Sequence, residues 1–356
     1  MRGSPRPLKV VQLIPQDSLG GAETAAREMA CLDNPGCDFH LVALAGDLLM
    51  PDQPRIRGMG FKSPLNPLAQ LAAVREIIRL KPDVLICSLW KSAPAAILVK
   101  LLRPRTRLVA FFHSAERAHG VDRALHRALI LFADALWADS ETTLRATGHA
   151  DSNIPARIIS FVIDPRLDAA ARNDPEPRFV SWSRIHPDKG MDRAVDLIAR
   201  LVKRGIDARF DLWGPDQGPR AGLEKQAAKL GVADRIAFHG PMSRSDLGGI
   251  ASNGSFLLQL SRLEGMAMVV VEAMQLGLVP VVTPVGEIRR YCRDGENALL
   301  VDPEDLDRAA DRIATLLDEP ECYRRMSAAA REQWANSRRY AGDICAASSE
   351  LAGAVK

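Results

Sequence analysis

Apolar and polar positions along this chain follow two periods in turn, one of two residues and one near 3.6, and the switching between them predicts strands alternating with amphipathic helices. The first run, Leu8-Lys-Val-Val-Gln-Leu-Ile14, reads as a strand, turns at Gly20-Gly21 and leads into a helix from about Ala22 to Leu32. Further strands are predicted at Phe39 to Ala43, Val84 to Ser88, Leu108 to Phe112 and Leu136 to Ala138, with helices at Leu68 to Leu80 and Ala93 to Leu102. A second series opens with a strand at Arg178 to Trp182. Met191, Ala194, Val195, Ile198, Leu201 and Val202 then mark a helix that Gly205 closes. Strands follow at Ile206 to Trp213, Arg235 to Phe238, Phe256 to Leu260 and Val279 to Thr283, and Asp302-Pro303 reads as the N-cap and first residue of a helix running to about Leu317. Such alternation predicts parallel sheets covered by helices on both faces.

The pattern breaks between Asp164 and Pro177, where Pro165, Asn173, Asp174, Pro175 and Pro177 interrupt any period, and this stretch is read as an interdomain linker. The expected division is residues 1–170, residues 171–335, and a C-terminal segment 336–356 returning to the first domain. A chain of 356 residues accommodates two such cores.

Composition adds constraints. With 47% hydrophobic and 26% charged residues the whole chain should fold. Cys31, Cys37, Cys87, Cys292, Cys322 and Cys345 are scattered without C-x-x-C pairs or histidines at zinc spacing, so neither a disulfide framework nor a metal site is expected, and a reducing cytoplasm is the simplest home. Leu8 to Ile14 is too short for a signal peptide, and the apolar tract Met266 to Gly286 is interrupted by Glu272, Gln275, Gly277 and Pro280, so no membrane-spanning helix is read. Net charge is only +3, yet from Lys91 to Arg127 there are eight Lys or Arg against Glu116 and Asp122, with three histidines besides. That stretch is either solvated helix face or a contact for an anionic acceptor or membrane surface.

Ligands of open α/β sheets bind in the loops after the strands. Gly20-Gly21-Ala22-Glu23 opens a helix there, where unblocked N–H groups suit a phosphate or sugar, although a tight structural turn would look the same. Ser183-Arg184-Ile-His-Pro-Asp-Lys189-Gly190 sets two cations before a helix, a combination suited to a departing phosphate and equally found on bland surface loops. Glu264-Gly-Met-Ala-Met-Val-Val-Val-Glu272 places one carboxylate before a helix start and another two turns inside it. A Glu among so many apolar neighbours needs hydroxyls, backbone donors or a cation to satisfy it; the non-ligand alternative is an ion pair with Arg262 or Arg289.

With these segments in order, the chain resembles the retaining glycosyltransferases of family 4, which have the GT-B fold of two Rossmann-like doubly wound domains facing across a cleft. The resemblance spans nearly the whole chain and is strongest from Phe179 to Val301, through Ser183-Arg184, Lys189-Gly190, Leu212-Trp-Gly-Pro215, Arg235-Ile-Ala-Phe-His-Gly240, the two glutamates and Gly277-Leu-Val-Pro280. It implies that Arg184 and Lys189 hold a donor diphosphate. Glu264, with N–H groups from Gly265, Met266, Ala267 and Met268, would face the transferred sugar and the phosphate, and Glu272 the ribose. Gly240 to Met242 would receive the nucleobase, and His113 would lie near the reacting sugar, unless it is only a core or surface histidine. Gly20 and Gly21 match the family's first loop on the donor side, with Glu23 toward the acceptor. The implied reaction retains anomeric configuration, needs no metal or other cofactor, and uses a nucleotide-sugar donor and a glycan or lipid-linked acceptor in polysaccharide synthesis; no nucleic-acid partner is implied. Ala267 and Val269 stand where the family commonly has Gly and Pro, Glu287 where it has a second Gly, and Ala298 where Gly is frequent. An epimerase of the same fold and a catalytically silent nucleotide-sugar-binding scaffold are the competing readings.

Overall fold

The computed structural model describes residues 6–18, 20–33, 36–113, 120–148, 153–163 and 174–353. The chain divides into two compact units, one of residues 1–163 with 338–356 and one of residues 164–337.

In the first unit the order is β1 (Leu8–Gln16), α1 (Gly21–Ala30), β2 (Cys37–Ala45), β3 (Ile56–Phe61), α2 (Pro67–Leu80), β4 (Val84–Ser88), α3 (Ala93–Leu102), β5 (Arg107–Phe112), α4 (Gly120–Phe132), β6 (Ala135–Ala138), α5 (Glu141–Ala146) and β7 (Ala156–Ile158). All neighbouring strands are parallel, in the order β3-β2-β1-β4-β5-β6-β7. Helices cover both faces, so central strands such as Val84 to Ser88 are buried throughout, the expected consequence of a two-sided cover. One face packs Val11, Leu13, Leu85 and Leu108 against Val74, Ile77, Ala96 and Val99.

The second unit continues with β8 (Arg178–Trp182), α6 (Met191–Lys203), β9 (Arg209–Trp213), α7 (Arg220–Lys229), β10 (Ile236–Gly240), α8 (Leu247–Ser252), β11 (Phe256–Gln259), α9 (Met268–Gln275), β12 (Val279–Val282), α10 (Ile288–Tyr291), β13 (Leu299–Leu300), α11 (Leu306–Asp318) and α12 (Pro320–Ala335). Its parallel sheet runs β10-β9-β8-β11-β12-β13. The inward stripe of α6, Met191, Ala194, Val195, Ile198 and Leu201, is fully buried against Phe179, Phe210 and Leu258.

The last helix, α13 (Tyr340–Gly353), belongs to the first unit. Tyr340 donates its hydroxyl to Gln12 Oε1 at 2.8 Å, Asp343 accepts from Arg157 and from Ser160 N–H, and Cys345 is disulfide-bonded to Cys37. That bond corrects the expectation of unpaired cysteines: the partners lie 308 residues apart, so no local spacing could disclose them. Both are buried, and in a reducing compartment the same packing would enclose two thiols.

Asp302-Pro303 is a second correction. The Asp302 side chain accepts from Glu304 N–H and its carbonyl from Asp305 N–H, while Asp305 caps α11 by accepting from Arg308 N–H, so the helix starts at Leu306, its first buried apolar residue. Of the linker Asp164 to Pro177, residues 164–173 lie outside the described residues. No described helix is long and apolar enough to cross a membrane.

Candidate functional site

In the second unit, the strand order reverses between β8 and β11: α6 carries the chain toward β9, whereas α9 carries it toward β12. Loops diverging at such a switch point leave a crevice at the carboxyl ends of the strands. The loop after β8 holds Lys189 and the loop after β11 holds Glu264, and they meet there. Lys189 Nζ lies 2.7 and 2.8 Å from the two Glu264 carboxylate oxygens. Glu264 Oε1 also accepts from Gln259 Nε2 and Ser261 Oγ, each at 2.7 Å. Three donors saturate Oε1; Oε2 has one, and keeps capacity for a ligand hydroxyl.

Backbone fit fastens these loops together. Gly190 closes the turn Pro187–Lys189 at φ +62°, and a Cβ there would lie 1.9 Å from Leu260 O, so only glycine permits the approach. Arg262 N–H donates to Asp188 O, and the Arg262 guanidinium grips Asp192 at 2.8 and 2.5 Å, holding that carboxyl below its usual range. From the other side Gly286, at φ +55°, packs against Glu264 O, where a Cβ would come within 2.2 Å. Glu287 N–H donates to Gly265 O, and Tyr291, whose phenol burial pushes well above its ordinary range, donates to Met266 O at 2.8 Å. Glu287 reaches Arg290 at 3.7 Å and is itself nearly buried.

Helix α9 starts from Ala267, which holds φ +56°, ψ +64°. Among the described residues no acceptor takes the N–H groups of Gly265, Met266, Ala267 or Met268, and unpaired donors at a helix start are suited to an anion. An alanine in the left-handed region costs about 1 kcal/mol that glycine avoids. Ala267→Gly is therefore expected to raise unfolding free energy by about that amount in urea titration; an unchanged or lower midpoint would contradict the strain.

Glu272, on α9, is almost fully buried and already engaged. Trp182 Nε1 donates to Oε2 at 2.8 Å, and Arg244 Nη1 donates to Oε1. Both glutamates are thus ion-paired, but with Lys189 and Arg244; the expected alternatives Arg262 and Arg289 are not the partners. Arg244 follows the Gly240 to Met242 loop, where Gly240 takes φ +78° and accepts from Gly214 N–H at 2.7 Å, beside a stack of Trp213 on His239. Arg244 Nε and Nη2 and Ser183 Oγ are enclosed without partners among the described residues. Arg184 is exposed and donates to Gln217 Oε1 at 3.2 Å, not to any of the other three charged residues. Among the described residues no group of three His, Cys, Asp or Glu could hold a metal.

In the first unit the strand order reverses between β1 and β4. The Gly20-Gly21 turn lies there, supported by buried Arg27, which pairs with Asp17 and donates to Ser18 O and Thr24 Oγ1 at 3.1 Å each. Glu23 folds back over the turn, so that a Cβ on Gly20 would meet its Oε2 at 2.2 Å. Leu89, after β4, holds φ +64°, ψ +143°, a conformation sparsely populated by any residue but glycine, and nothing in its sequence neighbourhood signals it.

His113 directly follows β5 and lies between Phe111 and Phe161, at ring distances of 4.3 and 5.5 Å, with both ring nitrogens enclosed and unpartnered among the described residues. Burial, with a smaller contribution from His126, pushes its pKa down to about 3. The imidazole is therefore neutral at pH 7. Below about pH 6.5 the unfolded chain takes up a proton that the folded chain refuses. This part of the stability is complete above pH 6.5 and is lost as pH falls toward 3. His113→Phe should recover up to about 2 kcal/mol of the loss between pH 6.5 and 5; equal pH slopes for both proteins in denaturant titrations would contradict it.

Two family models match the chain: "Glycosyltransferase Family 4" over residues 19–166 and "Glycosyl transferases group 1" over residues 165–333. The alpha-D-kanosaminyltransferase of Streptomyces kanamyceticus is 31% identical over 154 residues, 43% of this chain and 40% of that protein, so the chain spans less than half of that relative's length. The lipopolysaccharide core biosynthesis mannosyltransferase LpsB of Rhizobium meliloti is 28% identical over 270 residues, 69% of this chain and 74% of the relative. Among solved structures, Anabaena Alr3699/HepE in complex with UDP and glucose superimposes with a TM-score of 0.78 at 20% identity, covering 98% of this chain and 99% of that one. This likeness establishes the two-sheet GT-B fold.

Proposed function

Since the chain belongs to the glycosyltransferases of group 1 and family 4, we propose that it moves a hexose, with retention of configuration, from a nucleotide diphosphate sugar to a glycan, lipid-linked or small-molecule acceptor. The observation that carries this reading is the junction of Lys189, Glu264 and the unpaired N–H groups of Gly265 to Met268 at the switch point of the second sheet. A diphosphate brings concentrated negative charge, and an ammonium beside a helix start offers the complementary field. Arg184, exposed on the same loop as Lys189, would reach the diphosphate from solvent. Glu264 Oε2 would accept from a sugar hydroxyl and Glu272 from the ribose, while Gly240 to Met242 receives the base.

In the first unit Glu23 would contact the acceptor, His113 would lie near the reacting sugar, and Gly20 and Gly21 would serve the donor side. In the transfer step the acceptor oxygen bonds to the anomeric carbon as the bond from that carbon to the phosphate oxygen breaks; the departing phosphate takes the acceptor proton. Lys189 and the α9 N–H groups stabilise the charge that develops on it, so a metal is not required. We place this activity in cell-surface polysaccharide or glycoconjugate synthesis, by analogy with the lipopolysaccharide core biosynthesis in the mannosyltransferase relative's name.

Incubation with UDP- and GDP-sugars and a panel of acceptors, without added metal, should release nucleoside diphosphate and give a product whose anomeric proton coupling matches that of the donor sugar. Interconversion of the nucleotide sugar without an acceptor would instead indicate an epimerase. Binding of donor with no turnover on any acceptor would indicate a scaffold.

A further inference from the structure

Of the basic stretch from Lys91 to Arg127, residues 114–119 lie outside the described residues, and the remainder is not one solvated face. Lys100 and Arg107 are spent on Asp134, at 2.7 and 3.0 Å. Lys100 is in the last turn of α3 and Asp134 follows α4, so this bridge joins the C-terminal ends of the two helices, which pack side by side on one face of the first sheet. Around it the surface is unusually apolar. Leu101 and Leu102 are 59% and 58% exposed at the end of α3, and Leu131 and Phe132 are 83% and 37% exposed at the end of α4. Isolated exposed leucines are ordinary, but four large apolar side chains at one corner are not.

Their companions are cations. Arg105 is exposed on the turn between α3 and β5, and Arg127 is exposed on α4 one turn before Leu131. The only carboxylates that α3, α4 and their following turns contribute are Asp134, neutralised as above, and Asp122, which is buried against His126. A second copy of this chain would bring arginines against arginines. A membrane leaflet of anionic lipids answers both features, accepting leucines at the acyl boundary and arginines at the phosphates.

We propose that this corner, the exposed ends of α3 and α4, docks the protein on an anionic lipid bilayer. It lies at the amino-terminal edge of the strands, opposite the edge that carries Gly20 and His113, so docking leaves those loops open. The proposal stands apart from the transfer chemistry and can fail without it.

The test is sedimentation of the full chain with vesicles of phosphatidylcholine alone or mixed with an equal part of phosphatidylglycerol, at low and high salt. Wild type should partition onto the mixed vesicles, and less so in salt. Arg105→Ala and Arg127→Ala should each weaken partitioning about fivefold, and Leu101→Ser with Leu131→Ser about tenfold or more. All variants should keep the wild-type melting curve and rate of donor cleavage with a soluble acceptor. Wild type left in the supernatant at low salt, or bound equally to neutral vesicles, would overturn the proposal. So would a concentration-dependent dimer abolished by the leucine substitutions.

Discussion

Lys189→Ala is expected to lower kcat by about two to three orders of magnitude at saturating donor, the range seen when one donor to a developing oxyanion is removed. Lys189 is held on Glu264, the residue directly before the unpaired N–H groups of Gly265 to Met268 at the start of α9. Alanine leaves those groups in place and withdraws only the charge, so donor affinity should change less than turnover. Glu264 would keep Gln259 and Ser261 as donors, yet a buried carboxylate without its counter-ion is poorly solvated, and about 1–3 kcal/mol of stability should go as well. Single-turnover kinetics read the first effect and urea titration the second. Unchanged kcat with unchanged donor affinity would remove Lys189 from the chemistry.

Glu272→Ala should act on the opposite balance, weakening donor binding by about ten- to a hundredfold, as loss of hydrogen bonds to a charged group implies. It also leaves the Arg244 guanidinium enclosed without its carboxylate, a loss of about 3–5 kcal/mol when a buried pair is broken from one side. Two further variants separate the effects. Glu272→Gln keeps an acceptor for Trp182 and should bind donor better than alanine. Glu272→Ala with Arg244→Ala should regain stability but not donor affinity. If affinity returned with stability, Glu272 would be a core ion pair and not a ribose contact. Calorimetric titration with nucleoside diphosphate distinguishes the two.

Elements with strong periods were legible in the sequence. Val84 to Ser88, Ala93 to Leu102 and Arg178 to Trp182 fall where the pattern puts them, because a strand buried on both faces or a helix with one wet side has little freedom to be anything else. Ile56 to Phe61 was not read as a strand: it is an edge strand whose two glycines and arginine break the alternation. Ile206 to Ala208, predicted as strand, precedes β9, since the turn after α6 uses those residues to return the chain.

For the site, the sequence located the loops but not their partners. The carboxylates of Glu264 and Glu272 stand out against apolar neighbours, and a need for cations follows from burial. Which cations answer it does not follow, because Lys189 is 75 residues from Glu264 and Arg244 is 28 from Glu272. Gln259 and Ser261 could have been suspected as polar residues closing an otherwise apolar strand; Arg244 carries no local signal. The positive φ of Ala267 was foreshadowed by the resemblance, which implies a position where glycine is common, and the Cys37–Cys345 link by nothing.

The most direct measurement is a crystal structure of the chain soaked with a nucleoside diphosphate. The diphosphate should lie against Lys189 Nζ and the N–H groups of Gly265 to Met268, with the ribose hydroxyls on Glu272. Density for the diphosphate elsewhere, with Lys189 still closed on Glu264 and those N–H groups unoccupied, would contradict the account.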